Sequence, residues 1–289
     1  MTCTILFNQG ESFNNNLGVS YNAFDSHVWD CIYQFRMWNS MPLYVITDQK
    51  ENKKLSKIYN IDWININDID IDIEKYNKIQ PCKTESNNLI YSSYIRFCYI
   101  EELIKSKNLT NIFTFDNDVL VYTDLDEFRK RYVLSKIVAT KHSESEFTSG
   151  MMFIENIDCL NQMNNFAVNF RTSESVSEMK MLGSFYKNGN ILKRFNTSFN
   201  YNGDFGPNQI IFDPSSYGQF IDGCDNGTPS GTLHFNQILS YEIKNAKDFK
   251  IVELKDCNKR CFGCVVNNQV YKFGSLHMHS KRLKRYLSI

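Results

Sequence analysis

The chain is best interpreted from one stretch, Asn111-Ile112-Phe113-Thr114-Phe115-Asp116-Asn117-Asp118-Val119-Leu120-Val121. An apolar, β-prone run ends there in two carboxylates, and a second short apolar run follows. Alternate residues of an extended chain project to the same side, so Asp116 and Asp118 can converge on one cation. Carboxylate oxygens suit Mg²⁺ or Mn²⁺, which keep positions open for substrate phosphates. The pattern predicts a metal–diphosphate site at a strand end, with an ordinary turn as the alternative.

Two neighbouring stretches give this pattern its context. A predicted helix carrying Arg96 precedes the aspartates, and Thr148-Ser149-Gly150-Met151-Met152-Phe153 follows them. Together the three stretches resemble a GT-A-fold, metal-dependent glycosyltransferase of the Asp-x-Asp type. The resemblance implies an α/β fold with a Rossmann-like mixed β-sheet flanked by helices. It also implies that the aspartates hold a divalent metal against the diphosphate of a nucleotide sugar.

Length and charge narrow the class of protein. The 289 residues suit a single domain, with a nucleotide-sugar-binding half in 1–121 and an acceptor half with a metal- and diphosphate-binding tail in 122–289. Lys+Arg and Asp+Glu both number 32, which gives no argument for a nucleic-acid partner. No stretch approaches roughly 18 consecutive apolar residues, and the start lacks the features of a signal peptide. We therefore expect a cytoplasmic protein without an integral membrane segment.

Hydrophobic periodicity predicts alternating strands and helices before the aspartates and a similar alternation after them. The predicted strands are Thr4 to Phe7, Leu43 to Thr47, Asp62 to Ile66, Ile137 to Thr140 and Gly150 to Ile154. The predicted helices are His27 to about Trp38, Asn52 to Tyr59, Leu89 to Lys107, a segment capped by Asp124 that ends at Arg131, and Asp158 to about Phe170.

The donor site is predicted from loops at strand ends and from one arginine in an apolar helix. Asn8 and Asp48 follow the first two predicted strands, at the sheet edge where α/β proteins bind ligands. Arg96 lies in a mostly apolar helix, where a guanidinium needs an anionic partner unless it reaches solvent. The resemblance assigns the nucleotide-sugar donor, a UDP-hexose, to Asn8, Asp48, Arg96, Asp116, Asn117, Ser149, Gly150 and Lys281.

The tail Gly274-Ser275-Leu276-His277-Met278-His279-Ser280-Lys281 is a second chemical signature. Two histidines on alternate residues of a strand point the same way. By the resemblance, His279 is the expected metal ligand beside the aspartates, Lys281 the phosphate contact, and His277 the second choice for the metal. The alternative is a histidine pair on a strand followed by a solvated basic tail.

A turn-rich segment, Asn200 to Phe212, resembles the acceptor side of such transferases. Asp204, Asn208 and Gln209 are its candidate catalytic residues. Asn208 stands where an inverting enzyme would carry a carboxylate base, and an amide cannot take the proton. Either Asp204 accepts the proton, or the enzyme retains configuration and the donor phosphate assists the acceptor hydroxyl.

Cys257, Cys261 and Cys264 cluster near the carboxyl end. Free thiols are the expected state of this cluster, and a structural zinc with Cys224 as a fourth ligand is the alternative.

The sequence thus predicts a hexosyltransferase that uses Mn²⁺ or Mg²⁺, a nucleotide-sugar donor and a glycan or protein acceptor. A metal-dependent nucleotidyltransferase would use the same metal–diphosphate chemistry, although no Gly-rich phosphate loop is present. A non-catalytic carbohydrate-binding protein is the third possibility, with surface aromatics as its binding face.

Overall fold

The structure is a computed structural model that describes residues 2–8, 26–78, 88–170, 177–199, 203–204, 209–224, 228–232 and 237–289. Its strands are β1 (Cys3–Asn8), β2 (Leu43–Thr47), β3 (Ile61–Asn65), β4 (Ile112–Phe115), β5 (Val119–Val121), β6 (Ile137–Lys141), β7 (Phe147–Ile154), β8 (Leu192–Arg194), β9 (Ile210–Phe212), β10 (Lys250–Asp256), β11 (Lys259–Val266) and β12 (Gln269–His277). Its α-helices are α1 (Ser26–Trp38), α2 (Lys53–Tyr59), α3 (Ile73–Tyr76), α4 (Asn88–Lys107), α5 (Leu125–Tyr132), α6 (Ile157–Asn169), α7 (Glu178–Lys187), α8 (Tyr217–Asp222) and α9 (Gln237–Asn245). Short 3₁₀ turns cover Ile66–Asp68 and Leu283–Tyr286.

Seven strands form the larger sheet in the order β3-β2-β1-β4-β7-β6-β8. The first four strands run parallel, and β7 is antiparallel to both of its neighbours. The central strands are buried along nearly their whole length, as expected for a sheet covered on both faces. The predicted mixed α/β sheet flanked by helices is confirmed.

Each face of this sheet has its own apolar core, because alternate residues of a strand point to opposite faces. Leu6 of β1 packs in the core that contains Phe35 of α1 and much of the second sheet. Ile5, its neighbour, packs in the core that contains Ile100 of α4 and residues of α6 and α7. Burying one such side chain contributes about 1.5–3 kcal/mol. The helices predicted from apolar stripes therefore cover the sheet as expected.

A second sheet has the order β10-β11-β12-β5, and β9 pairs with β12 in parallel. The chain passes from the larger sheet to this one through the turn that contains Asp116 and Asp118, between β4 and β5. Pairing of β12 with β5 is antiparallel and sets His277 opposite Val119. The turn is therefore the place where the two sheets meet.

The cysteines near the carboxyl end do not converge on one point. Cys261 and Cys264 lie on β11, pairing with Leu254 and Ile251 respectively, and Cys257 is exposed in the turn that joins β10 to β11. Residues three apart on a strand face opposite sides. In the described part of the chain, the group of His, Cys, Asp and Glu side chains with metal-ligand spacing contains no cysteine, so the zinc alternative has no ligand set there.

Of the helices within the described ranges, none combines the length and the apolar character that crossing a bilayer requires.

Candidate active site

Three side chains, Asp116, Asp118 and His277, form a group that we call the carboxylate–histidine cluster. Their candidate ligand atoms all lie within 4.8 Å of one another. His277 Nε2 is 3.0 Å from Asp118 Oδ1 and 3.9 Å from Asp116 Oδ2. The side chains are 24%, 13% and 10% exposed in that order, so solvent screens them little. Among the residues that the structure describes, no second group has this spacing.

The cluster is assembled by a turn and by strand pairing. Asp116 and Asp118 lie in a tight turn, closed by the hydrogen bond from Val119 N to Asp116 O at 3.1 Å. They therefore converge through the turn and not through the strand alternation that the sequence suggested. His277 reaches them because it ends β12 opposite Val119, and the next amide, Met278 N, donates to Asp118 O at 2.9 Å.

The backbone of His277 is fixed by Asp213, a buried carboxylate that the sequence analysis missed. Asp213 Oδ2 accepts from His277 N at 2.9 Å and from Gly218 N at 2.8 Å, and Oδ1 accepts from Ser216 N and Tyr217 N at 2.7 and 2.9 Å. The amides of Ser216, Tyr217 and Gly218 would otherwise lack partners at the start of α8. The signal was present, because an Asp shortly before a helix is typical of a capping residue.

The ring of His277 is held from its second nitrogen. Its Nδ1 is 2.8 Å from Ser215 Oγ, which leaves Nε2 directed at the two carboxylates. Gly150 makes room for this ring, because a Cβ there would lie 2.7 Å from His277 Nδ1. The space beside Gly150 is thus filled by the histidine ring, and the predicted contact of Gly150 with the donor stays a prediction.

Charge within the cluster shifts the pKa of its members. Burial alone would raise the pKa of Asp118, but the charge of His277 and the hydrogen bond from it lower that pKa to about 2. Burial alone would lower the pKa of His277, but the charges of Asp118 and Asp116 raise it to about 9. In the metal-free protein the imidazolium therefore offsets the repulsion between the two carboxylates.

Arg96 has the anionic partner that its apolar helix required. Its guanidinium binds the Asp116 carboxylate through Nη1 and the Ser149 hydroxyl through Nη2, with 13% of the side chain exposed. The alternative of an arginine that reaches solvent is therefore wrong. Glu178, at the start of α7, extends this network: it accepts from Ser93 Oγ at 2.8 Å and from Ser149 Oγ at 3.5 Å. No sequence pattern pointed to Glu178.

The other predicted donor residues lie at the carboxyl ends of adjacent strands. Asn8 ends β1 and accepts through Oδ1 from Asn117 Nδ2 at 2.6 Å. Asp48 follows β2, which pairs with β1 in parallel, and its Oδ1 accepts from Gln49 Nε2 at 3.1 Å. The structure thus gathers these three residues at the edge where the cluster lies, as expected for a ligand site of an open sheet.

The two histidines of the tail do not share a strand face, because β12 ends at His277 and a turn begins. His277 therefore faces both carboxylates in place of His279, which corrects the order of preference given above. His279 Nδ1 lies 2.6 Å from Gln219 Nε2, and burial together with the charge of His277 lowers the His279 pKa to about 4. Lys281 is close enough for its charge to help lower the pKa of Asp118. A metal-ligand role for His279 stays a prediction.

The two acceptor-side residues that the structure describes, Asp204 and Gln209, are not brought to the cluster. Asp204 binds Arg194 Nη2 at 2.6 Å beside β8, which lies three strands from β4, a lateral distance of roughly 14 Å. Gln209 accepts from Lys272 N at 2.8 Å, five residues before His277 along β12, or about 17 Å. Asn208 lies outside the described residues. The catalytic roles of these three residues stay predictions.

The donor set of the cluster fits a divalent ion. Two carboxylates supply hard oxygen ligands, and the imidazole adds a nitrogen ligand of the kind that Mn²⁺ also accepts. The imidazole is oriented through its second nitrogen, as is usual for metal-binding histidines. Asp116, Asp118 and His277 would hold such an ion and leave its other coordination positions open.

Comparison with known proteins adds similarity of fold. No family model and no curated protein matches the chain. Among solved structures, the mouse xyloside xylosyltransferase 1 (apo form) is similar with a TM-score of 0.43 and 10% identity, covering 68% of this chain and 86% of that one. The galactosyltransferase LgtC, in complex with donor and acceptor sugar analogs, is similar with a TM-score of 0.39 and 12% identity over 66% and 72% of the two chains.

A cytidylyltransferase from Leptospira borgpetersenii serovar Hardjo-bovis is also similar, with a TM-score of 0.39 and 10% identity over 68% of this chain and 76% of that one. Glycosyltransferases and a cytidylyltransferase are thus both among the solved structures to which this chain is similar. Because these TM-scores lie below 0.5, what the chain does has to be argued from its own residues.

Proposed function

We propose that this chain transfers a hexose from a nucleoside-diphosphate sugar, a UDP-hexose, to a hydroxyl group of a glycan or protein acceptor, with Mn²⁺ or Mg²⁺ as its cofactor. The observation that carries the proposal is the carboxylate–histidine cluster of Asp116, Asp118 and His277. It lies just beyond the carboxyl end of β4, where open α/β sheets bind their ligands. A cation held there would keep positions for the oxygens of a diphosphate.

Four residues around the cluster have a role in this proposal, beside the metal ion itself. When bound, the metal ion would neutralise the charge that develops on the departing diphosphate. Arg96 fixes the orientation of Asp116 and adds a positive charge at the same edge. Lys281, whose charge reaches Asp118, would contact the diphosphate. Asn8 and Asp48 would line the nucleoside pocket at the ends of β1 and β2.

The proposed reaction exchanges one glycosidic bond for another. The bond between the anomeric carbon and the β-phosphate oxygen breaks, the acceptor oxygen bonds to that carbon, and UDP leaves. The acceptor hydroxyl gives its proton to a base. Asp204 is engaged by Arg194 some three strands away, so we favour an oxygen of the departing diphosphate as that base, which corresponds to retention of configuration.

The test is thermal unfolding with nucleotides and nucleotide sugars, each with Mn²⁺ and with EDTA. A ligand at a hundred times its Kd stabilises by about 2.7 kcal/mol, a shift of roughly 4 °C for a chain of this length. We expect UDP and UDP-hexoses to raise Tm only with Mn²⁺, and Asp118→Asn to abolish the shift. Asp248→Asn, which removes an exposed carboxylate, is the matched control and keeps the shift.

Released UDP then reports turnover of the donor. Stabilisation by nucleoside triphosphates with release of pyrophosphate would replace this proposal with the nucleotidyltransferase. Metal-independent glycan binding that survives Asp118→Asn, without any effect of nucleotides, would favour the carbohydrate-binding protein.

A further inference from the structure

We propose that Ser215 is a positioning residue, whose hydroxyl sets the proton on Nδ1 of His277 and so keeps Nε2 free for the divalent ion. The inference rests on the proposed function. Ser215 Oγ lies 2.8 Å from Nδ1, and Nε2 of the same ring lies 3.0 Å from Asp118 Oδ1. A neutral imidazole has one N–H, and the hydrogen bond made by that nitrogen determines which nitrogen can bind a metal.

The backbone of Ser215 has a conformation that is unfavourable for any residue with a side chain. Its φ is +66°, in the left-handed region where residues with a Cβ are strained. Asp213 maintains this conformation from both sides, because its carboxylate binds the amides of Ser216 and Tyr217 immediately after the strained residue and the amide of His277 across from it. The strain is thus offset by buried hydrogen bonds, as is common at functional sites.

The surroundings of Ser215 allow its hydroxyl oxygen to accept a hydrogen bond from His277. The residue is 7% exposed, and its Oγ also lies 3.5 Å from Thr148 Oγ1. A hydrogen bond from His277 Nδ1–H to Ser215 Oγ, with the Ser215 O–H directed at Thr148 Oγ1, therefore satisfies both groups. Gly150 leaves the space in which the ring must lie for this contact. Ser215 and Gly150 together thus determine where the His277 ring lies.

A turn with only a structural role would favour glycine at this position. Glycine adopts positive φ without strain, whereas serine supplies the hydroxyl at the expense of stability. The two roles therefore predict different metal affinities for Ser215→Gly: an unchanged Kd if the turn is only structural, and a higher Kd if the hydroxyl positions His277. If the hydroxyl positions His277, the variant binds metal more weakly, and the lost hydrogen bond of the buried imidazole offsets the relieved strain.

The experiment titrates Mn²⁺ alone into the metal-free protein and follows free Mn²⁺ by electron paramagnetic resonance. We expect Ser215→Gly to raise the Kd for Mn²⁺ roughly 10- to 100-fold and to have a Tm in EDTA about 2 °C above that of Ser215→Ala, which loses the same hydrogen bond and keeps the strain. Ser215→Ala keeps the strain and loses the hydroxyl, so it should weaken Mn²⁺ binding without raising Tm.

Ser216→Ala is the matched control. Ser216 is 1% exposed, and its hydroxyl has no hydrogen-bond partner among the described atoms. Its removal should leave the Kd for Mn²⁺ unchanged. Equal Mn²⁺ affinity in the wild type and Ser215→Gly overturns the inference, and so does an equal loss in Ser216→Ala. A wild type that binds no Mn²⁺, where Asp118→Asn makes no difference, is instead a failure of the proposed metal site.

Discussion

Two carboxylates, one at each end of α8, bind the segment that runs from His277 to Arg285, and they bind it through different groups. At the end that we call the amide-bound end, the carboxylate of Asp213 accepts from four backbone amides and is 2% exposed. At the end that we call the arginine-bound end, the carboxylate of Asp222 accepts from Ser280 Oγ at 2.7 Å and Arg282 Nε at 2.8 Å, with Arg285 Nη1 at 3.5 Å.

The difference indicates what each end is suited to fix. Backbone amides cannot change rotamer, so a carboxylate bound to four of them fixes the main chain at His277 closely. Arginine side chains are long and exposed, and salt screens their charge. The arginine-bound end therefore restrains the residues on either side of Lys281 more loosely. In the proposed function, the first end would therefore serve the metal ligand His277, and the second the diphosphate contact Lys281.

The largest effect is expected at the amide-bound end. Asp213→Asn replaces one acceptor oxygen by an amide group, so two buried N–H groups lose their partner at about 1–3 kcal/mol each. We predict that the free energy of unfolding falls by roughly 3 kcal/mol or more and that the Kd for Mn²⁺ rises. Urea unfolding in EDTA and Mn²⁺ titration measure the two effects.

Asp248→Asn, at an exposed site, is the control for loss of a carboxylate. A folded Asp213→Asn variant with wild-type Mn²⁺ affinity would contradict the assignment of this end to the metal ligand, even if its stability had fallen.

The parts of the site that depend on local sequence could be predicted, and those that depend on distant contacts could not. Asp116 and Asp118 were found because their signal is local: an apolar strand ends in two acids. The partner of Arg96 was also foreseeable, since an apolar helix cannot leave a guanidinium without an anion. The choice between His277 and His279 was not, because it depends on where β12 ends. That point is set by pairing with β5 and by Asp213, which lies 64 residues away in sequence.

The fold divides in the same way. Strands β1, β2 and β4 and helix α4 carry continuous apolar runs or stripes, so their existence could be predicted within a residue or two. The second sheet was not predicted, because β10 and β11 mix polar and apolar residues and are stabilised by non-local pairing.

A smaller effect with a pH signature is expected from Asp222→Asn. Burial raises the pKa of Asp222, but hydrogen bonds from Ser280 and Arg282 outweigh it and lower the pKa below its ordinary value. A lowered pKa in the folded state gives stability that is present above the unfolded value of about 4 and is lost as the pH falls below it. We predict a loss of about 1–3 kcal/mol at pH 7 that shrinks below pH 4.

The ligand affinities of Asp222→Asn sharpen the comparison. Ser280 and Arg282 flank Lys281, so we expect weaker binding of UDP in the presence of Mn²⁺ and an unchanged Kd for Mn²⁺ alone. Calorimetric titration of each ligand separates the two. A weaker Mn²⁺ affinity without loss of UDP binding would reverse the assignment of the two ends.

The smallest effect is expected from Arg285→Ala. The side chain of Arg285 is 66% exposed and 3.5 Å from Asp222, and its backbone carbonyl, which accepts from Arg260 Nη1, is unaffected by the change. An exposed ion pair contributes about 0–1 kcal/mol, and roughly 1 M salt screens it. We predict a loss of about 0.5 kcal/mol or less in urea unfolding that disappears in 1 M NaCl. Arg282→Ala should cost more, because Arg282 also donates to the Asp222 carbonyl. If Arg285→Ala instead lowered the free energy of unfolding as much as Asp222→Asn does at every salt concentration, an exposed arginine would hold this end as firmly as buried contacts do. The contrast between the amide-bound end and the arginine-bound end would then be wrong.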